Sequence, residues 1–537
     1  MLYKQIAFAV VIVAVGLAAA GIGAQAPAAY DLLIRDVRIL DGTGAPWFRG
    51  DLAVRGDTIA AVGFVPRAEA GVVIEGKGQV LAPGFIDIHT HARRGILVVP
   101  TADNYTRQGV TTLIEGPDGS SPVPIAPFLA RVAAVRTSAN FGMFIGQGSV
   151  RDAVMGNMDR KATPAEIERM IQLVRDGMRD GAFGLSTGLF YTPGSYTPTE
   201  EVITLARAAG ALGGRHVSHM RDEAAHVIDS VRETIRIGEE GSLPTQITHH
   251  KIIGTANWGK SVETLRLVEE ARARGVDVTV DQYPYTASST SIAAALLPKW
   301  ALEGSQQDVV KRLSDPEQRR RIKQAAVNAL KNERGGGDPT RVVISSCRWD
   351  PSLAGKNLAE ITRGLGMEPT LENAAEAAMH IVERGGAQGI FHAVGEEDLQ
   401  RILRFPLTMI ASDGEVTVFG KDAPHPRSYG TFVRVLGVYV RDKQVLRLEE
   451  AVRRMTSLPA MRLGLAGRGI IRPGMKADLV LFDPQRVRDM ATFENPHQYA
   501  EGIAWVVVNG QIIFDGKAMT AARPGRVLYG PAHDSSR

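Results

Sequence analysis

The stretch GFIDIHTHARRG, Gly84 to Gly95, closes an apolar run with two imidazoles one residue apart, His89 and His91. In a β-strand residues i and i+2 face the same side, so both rings would project together from the strand's C-terminal end. Three later strand-like runs end in residues of the same kind: RHVSH on His219, PTQITHH on His249 and His250, and the apolar FPLTMIASD on Asp413. Imidazoles and a carboxylate converging from four strand ends form a donor set for a divalent cation such as Zn²⁺. A hydrogen-bonded pair of structural histidines would account for HTH taken alone, but it leaves the other three strand ends unexplained. The chain has 12 histidines and one cysteine, Cys347. A multi-cysteine metal site and an internal disulfide are therefore both excluded, and Cys347 reads as a small buried residue at a strand end.

Such an arrangement needs parallel strands whose ends meet, and the middle of the chain supplies the pattern. Strand-like and helix-like stretches alternate from about Ile86 to Leu463, long enough for eight β/α units. Thr163-Pro164-Ala165-Glu166 and Thr197-Pro198-Thr199-Glu200 each open a helix with the spacing of a capping box. Ser261 to Arg274 reads as a helix stopped by Gly275, followed by the strand VDVTVDQY. Repeated β-then-α units predict a parallel sheet with crossover helices, hence a (β/α)8 barrel, whose chemistry sits at the strands' C-terminal ends. An open doubly wound sheet is the alternative, weakened by the absence of a Gly-rich dinucleotide fingerprint after the first strand. From Ser288 to Arg341 the rhythm breaks into charged helix without a clear strand, which predicts an insertion.

Both ends have a different texture. Residues 30–82 and 466–537 alternate apolar and polar positions between Gly/Asp turns, and VNGQ near the C-terminus is a hairpin signal. The expected layout is a barrel over residues 83–465 beside a small β-sandwich formed by both termini. Residues 1–26 are of another kind again: Lys4, an apolar stretch, then Ala24-Gln25-Ala26, the pattern of a cleavable signal peptide. That predicts an exported protein, periplasmic or secreted, touching a membrane only if the segment stays uncleaved. The net charge of +4 arises from 62 basic against 58 acidic residues without a basic run, which argues against nucleic acid as a partner and for a small-molecule substrate.

Taken in order and spacing, PGFIDIHTH, QGVTT, GLSTGL, SHMRDE, THHK, DQYPY, SDG, PHPRSYGTFVRVLG and GMKADLVLFDP resemble the amidohydrolase superfamily, and within it the D-aminoacylase (N-acyl-D-amino-acid deacylase) family. The resemblance runs from about Asp31 to Gly530. It implies a distorted (β/α)8 TIM barrel with a small β-sandwich from both termini. It also implies one or two Zn²⁺ ions, with His89, His91 and Asp413 at one position and His219 and His249 at the other. That family carries a cysteine ligand after GVTT. Here the segment reads QGVTTLIEGPDGSS, and Asp118 or Glu115 would take the cysteine's place, with ungapped spacing favouring Asp118. The resemblance further implies that Asp413 is the catalytic base, taking a proton from the attacking water and passing it to the leaving amine. Lys251, Tyr283 and Arg221 would bind substrate; Arg221 has a rival role as an ion-pair partner of Asp222 or Glu223. His425 and Arg427 either line the site or anchor their loop, and His250 faces elsewhere. The implied activity is hydrolysis of N-acyl-D-amino acids. Alternatives are a cyclic-amide hydrolase of the dihydroorotase or hydantoinase kind, a dipeptide hydrolase, and a non-catalytic binding protein.

Overall fold

The computed structural model describes residues 30–65, 70–534 and 536; the signal-peptide reading of residues 1–26 lies outside them. Eight short parallel strands follow one another in chain order: β1 Phe85–Thr90, β2 Val110–Glu115, β3 Asn140–Met143, β4 Gly184–Gly188, β5 Arg215–His219, β6 Thr245–Ile247, β7 Val278–Gln282 and β8 Thr408–Ile410. β1, β2 and β3 pair in parallel. The chain runs from β3 through Phe144 into Ile145–Gly146, which pairs with β4, and β4 to β8 pair in sequence. Beyond β8 the chain returns to β1: the Asp413 N–H donates to His89 O at 2.9 Å, and the His91 N–H donates to Gly414 O at 2.7 Å. Along β1, Asp87 and His89 alternate with Ile86 and Ile88. The two isoleucines join Ile114, Val217 and Met409 in an apolar cluster, which leaves the opposite face free for polar groups.

Crossover helices include Pro164–Arg179, Thr199–Gly210, Val227–Gly241 and Ser261–Ala273. The Thr163 capping box forms as expected. The one expected at Thr197 does not. Pro198 takes the cap position without a side-chain bond, because the Thr197 hydroxyl is engaged by the Gln147 amide at 3.0 Å.

Both termini build one eight-stranded sheet. Val80–Pro83 joins its halves, pairing antiparallel with Leu479–Phe482 and parallel with Tyr30–Ile39. The expected hairpin turns at Asn509 (φ 45°) and Gly510 (φ 79°), the left-handed pair a tight two-residue hairpin demands.

The insertion differs from its predicted span of 288–341. Ser288–Ser291, Val342–Ser346 and Gln388–Phe391 form a separate antiparallel sheet. With the helices Gln306–Ser314, Pro316–Ala329 and Leu371–Glu383 it encloses its own core, which includes Ile322, Ile344, Cys347 and Phe391. The excursion therefore continues to Phe391. VVISS pairs with residues far along the chain and not with the barrel, a choice that apolar alternation does not encode. Among the described residues no helix is long and apolar enough to cross a membrane.

Candidate metal centre

The strand ends deliver their side chains to one place. One donor atom each from His89, His91, Asp118 and Asp413 lie within 4.8 Å of one another, and Asp118, His219 and His249 form a second such group. Asp118 stands between them. Its Oδ1 is 3.4 Å from His89 Nε2 and 3.5 Å from His249 Nε2; its Oδ2 is 3.4 Å from His91 Nε2 and 3.6 Å from His219 Nδ1. Asp413 Oδ1 approaches His91 Nε2 at 2.9 Å and His89 Nε2 at 3.3 Å. His89 is fully buried, yet neither of its ring nitrogens has a hydrogen-bond partner, and Asp118 Oδ1 also lacks one. Buried polar atoms without partners are rare and costly. A shared divalent ion of the kind these oxygen and imidazole donors suit satisfies them.

Asp118 owes its position to a tight turn. Gly119 (φ 72°) packs so closely on β4 that a Cβ there would meet Gly188 N at 2.4 Å, and a Cβ on Gly188 would meet Asp118 O at 2.2 Å. Glu115, the other candidate for the cysteine's place, is not in either group. Its Oε2 accepts the Arg93 N–H at 2.8 Å and its Oε1 lies 3.5 Å from Arg93 Nε, so Arg93 engages the carboxylate.

Charge at the site is set by opposing effects. Burial works against ionising Asp118, but His89, His249 and His219 hold it well below the usual carboxylate range. Burial likewise opposes Asp413, and Arg427 and His89 hold it low; both stay ionised at neutral pH. Burial disfavours a charged His91, yet Asp118 and Asp413 raise it to about 9. Burial lowers His219 to about 4.

A supporting layer orients these groups. Glu223 Oε1 lies 3.1 Å from His249 Nδ1 and 2.5 Å from Lys251 Nζ, and Glu223 Oε2 lies 3.6 Å from His219 Nε2. Asp281 Oδ1 accepts the His249 N–H at 2.7 Å. Arg427 Nη1 sits 2.7 Å from Asp413 Oδ2, and its guanidinium lies 4.9 Å from the Tyr283 ring centroid. The Tyr283 hydroxyl is buried without a partner. A cavity of about 750 Å³ opens over the cluster, lined in part by His91, Asp118, Tyr191 and Arg427.

Lys251 and Tyr283 thus lie at the site, and Arg221 does not. Its guanidinium is bidentate to Glu233, at 2.8 and 3.0 Å, and donates to the carbonyls of Ser195 and Thr197 at 3.0 Å each. It ties a loop to a helix. His250 faces away, 2.8 Å from Thr264 Oγ1. Sequence reasoning missed Glu223 and Asp281 as supports. Two signals were present: Glu223 follows His219 by four residues, and Asp281 is an acid inside the fully buried strand VTVDQ.

A parallel β/α barrel carrying a histidine and carboxylate cluster at its strands' C-terminal ends has the build of a metal-binding barrel hydrolase. Residues 72–514 match the model of the Amidohydrolase family, and the chain belongs to that family. It is 38% identical to D-aminoacylase of Alcaligenes xylosoxydans xylosoxydans, over 93% of this chain and 97% of the relative. It superposes on a D-aminoacylase with a binuclear metal centre, studied for one-metal activation and second-metal attenuation, with a TM-score of 0.79 at 36% identity. It also superposes on N-acyl-D-glutamate deacylase from Bordetella bronchiseptica complexed with zinc and a phosphonate inhibitor, with a TM-score of 0.80 at 33% identity. Each superposition covers 93% of this chain and 100% of the other.

Proposed function

We propose that this protein hydrolyses N-acyl-D-amino acids to a carboxylate and a free D-amino acid, with one or two Zn²⁺ ions. The observation that carries this reading is the placement of Asp118 between two histidine pairs, with Asp413 at the edge of the group. His89, His91, Asp118 and Asp413 would hold one ion, and Asp118, His219 and His249 the other. When bound, a divalent ion lowers the pKa of water and polarises the scissile carbonyl.

The chain's own residues do the rest. Asp413 accepts the proton of the attacking water and delivers it to the leaving nitrogen, without which the tetrahedral species would expel hydroxide rather than amine. Arg427 fixes Asp413 Oδ2, so Oδ1 stays turned towards the two imidazoles. Glu223 Oε1, 3.1 Å from His249 Nδ1, and the Lys251 ammonium, 2.8 Å from the same nitrogen, hold the ring so that Nε2 faces Asp118. Lys251 neutralises Glu223 and donates to His249 O at 3.0 Å. The Arg427 guanidinium lines the cavity and lies over the Tyr283 ring, whose hydroxyl is unpartnered, and the two suit the substrate carboxylate. Asp118 in the bridging position separates this reading from a cyclic-amide hydrolase bridged by a carboxylated lysine.

The test is a hydrolysis screen of N-acetyl-D- and N-acetyl-L-amino acids, N-acyl dipeptides and hydantoins on metal-loaded protein. Turnover confined to cyclic amides or to L-substrates would overturn the reading. We propose also that the chain is exported and that its N-terminal segment is removed. N-terminal sequencing of the mature protein from periplasm or medium tests this, and an intact Met1 on a cytoplasmic product would refute it.

A further inference from the structure

The helix Arg427–Arg434 carries Arg427 at its first position, and Arg427 Nη1 lies 2.7 Å from Asp413 Oδ2. What holds that helix therefore decides where the proposed base points. Its N-terminal end rests on His425, which is 3% exposed. The ring's Nδ1 accepts the Arg427 backbone N–H at 3.0 Å, and Nε2 lies 3.1 Å from the carbonyl oxygen of Ala287. A backbone N–H can only donate and a carbonyl can only accept, so the ring is neutral with its proton on Nε2. Burial and the Arg427 charge favour that form, holding His425 well below the usual imidazole value. His425 borders a cavity of about 250 Å³ that Asp413 and Arg427 also line. With both nitrogens engaged, it has no donor or acceptor to offer a substrate there.

The His425 ring is packed from outside the barrel. Phe493 stands edge-on to it, with centroids 5.1 Å apart and ring planes at 79°. Phe493 belongs to the segment that joins Leu479–Phe482 to Ile503–Val508 in the terminal sheet. It also meets Tyr285, just past β7, at 6.3 Å, and His392, just past the insertion's last strand, at 4.6 Å. The same segment grips the far end of the helix: Arg434 Nη1 donates to Asp489 Oδ2 at 2.8 Å, while Arg434 Nε donates to Pro284 O at 2.8 Å. Between the two ends, a Cβ on Gly430 would meet Tyr285 Oη at 2.6 Å and Asp489 Cβ at 2.8 Å. We infer that His425, backed by Phe493, is a positioning residue for the proton transfer: it fixes Arg427, and Arg427 fixes Asp413. By this route the terminal sheet, which contributes no residue to the metal centre, takes part in turnover. The inference rests on the deacylase reading above.

The experiment is a double-mutant cycle on the metal-loaded full chain, with kcat and KM on the best N-acetyl-D-amino acid and thermal unfolding of each protein. His425→Ala should lower kcat by up to about a hundredfold, the cost of misplacing reacting groups by roughly 1 Å. His425→Asn keeps an acceptor where Nδ1 stood and should recover most of that loss; His425→Gln, with none at that reach, should not. In an Arg427→Ala background, His425→Ala should remove nothing further, because the two residues act in one path. Phe493→Leu breaks no hydrogen bond and should show a smaller loss with the same dependence on Arg427. Should His425→Ala fail to fold, the Asn and Gln variants and Phe493→Leu carry the same comparison. ¹⁵N NMR of histidine-labelled protein, with His425→Asn to assign the signal, should show a neutral ring protonated on Nε2. Losses that multiply in the double variants, an Asn variant no better than the Gln variant, or a ring protonated on Nδ1 would overturn the inference and leave the deacylase reading standing. No hydrolysis of any N-acyl-D-amino acid by wild type would sink both.

Discussion

Replacing Asp118 by Asn tests the centre most directly, because that carboxylate is the only residue common to both donor groups. The exchange keeps the side chain's size and removes one negative charge from a position 3.4 to 3.6 Å from four imidazoles. Protein sites that hold a divalent ion supply three or four side-chain ligands. Without Asp118 the first group falls from four donors to three (His89, His91 and Asp413), and the second falls from three to two (His219 and His249). The variant should therefore bind no more than one equivalent of Zn²⁺ where up to two are proposed for wild type. Its remaining site should weaken by at least the tenfold to hundredfold, about 1.4 to 2.8 kcal/mol, that the loss of a mere supporting contact costs. The control is Glu115→Gln, which leaves both groups whole and should retain wild-type stoichiometry. Metal content by elemental analysis after dialysis against a competing chelator, with circular dichroism to verify folding, decides the matter. An Asp118→Asn protein that keeps both ions, or a Glu115→Gln protein that loses them, would show that the bridging carboxylate has been misassigned.

Asp413→Asn should stay folded and lose turnover by roughly 10²- to 10⁴-fold, the usual worth of a general acid–base group, measured as kcat on the best D-substrate; near-normal activity would remove Asp413 from the proton path. Arg221→Ala should cost about 1 to 3 kcal/mol of stability through its lost bonds to Glu233, Ser195 and Thr197, with little change in KM; chemical denaturation beside steady-state kinetics separates this from substrate binding. His216 is fully buried between the hydroxyls of Thr187 (2.9 Å) and Thr245 (2.7 Å), and burial lowers it from 6.5 to about 3. The unfolded chain takes up this proton near pH 6.5, and the folded chain refuses it until about pH 3. The contribution is therefore full above pH 6.5 and is lost as pH falls towards 3, roughly 4 to 5 kcal/mol in all. Urea midpoints across this range should fall less steeply for His216→Gln than for wild type; parallel curves would refute the assignment.

What was legible in the sequence was what strand geometry encodes. The period of two in IDIHTH, and the residues that end the later strand-like runs, point to one centre, because a parallel strand leaves its last side chains at the barrel mouth. The choice between Asp118 and Glu115 was not legible. It depends on the backbone amide of Arg93, which occupies Glu115, and on the glycine contact that seats Asp118 against β4. The partner of Arg221 was hidden because Glu233 lies on the following helix, nearer in space than the acids adjacent in sequence. The far boundary of the insertion was hidden because antiparallel pairing with Gln388–Phe391 leaves no local trace.

Two of the assembled residues show what the barrel framework does for the chemistry. His249 and Asp413 both have left-handed backbones, with φ of 35° and 52°, a conformation that costs a non-glycine residue of order 1 to 3 kcal/mol. Each occurs just where a parallel strand stops and its side chain must turn inward. Each is held there by a bond from its own N–H: His249 to Asp281 Oδ1 at 2.7 Å, and Asp413 to His89 O at 2.9 Å. The second bond also joins the last strand to the first, so the contact that brings the barrel's two ends together is the one that aims the proposed base. Gly414 follows so closely that a Cβ would meet Tyr105 Oη at 2.9 Å, and its carbonyl accepts the His91 N–H. The strain at these residues is offset by hydrogen bonds that the framework makes only when folded, so the direction of the ligands and the pairing of the strands are one structural fact.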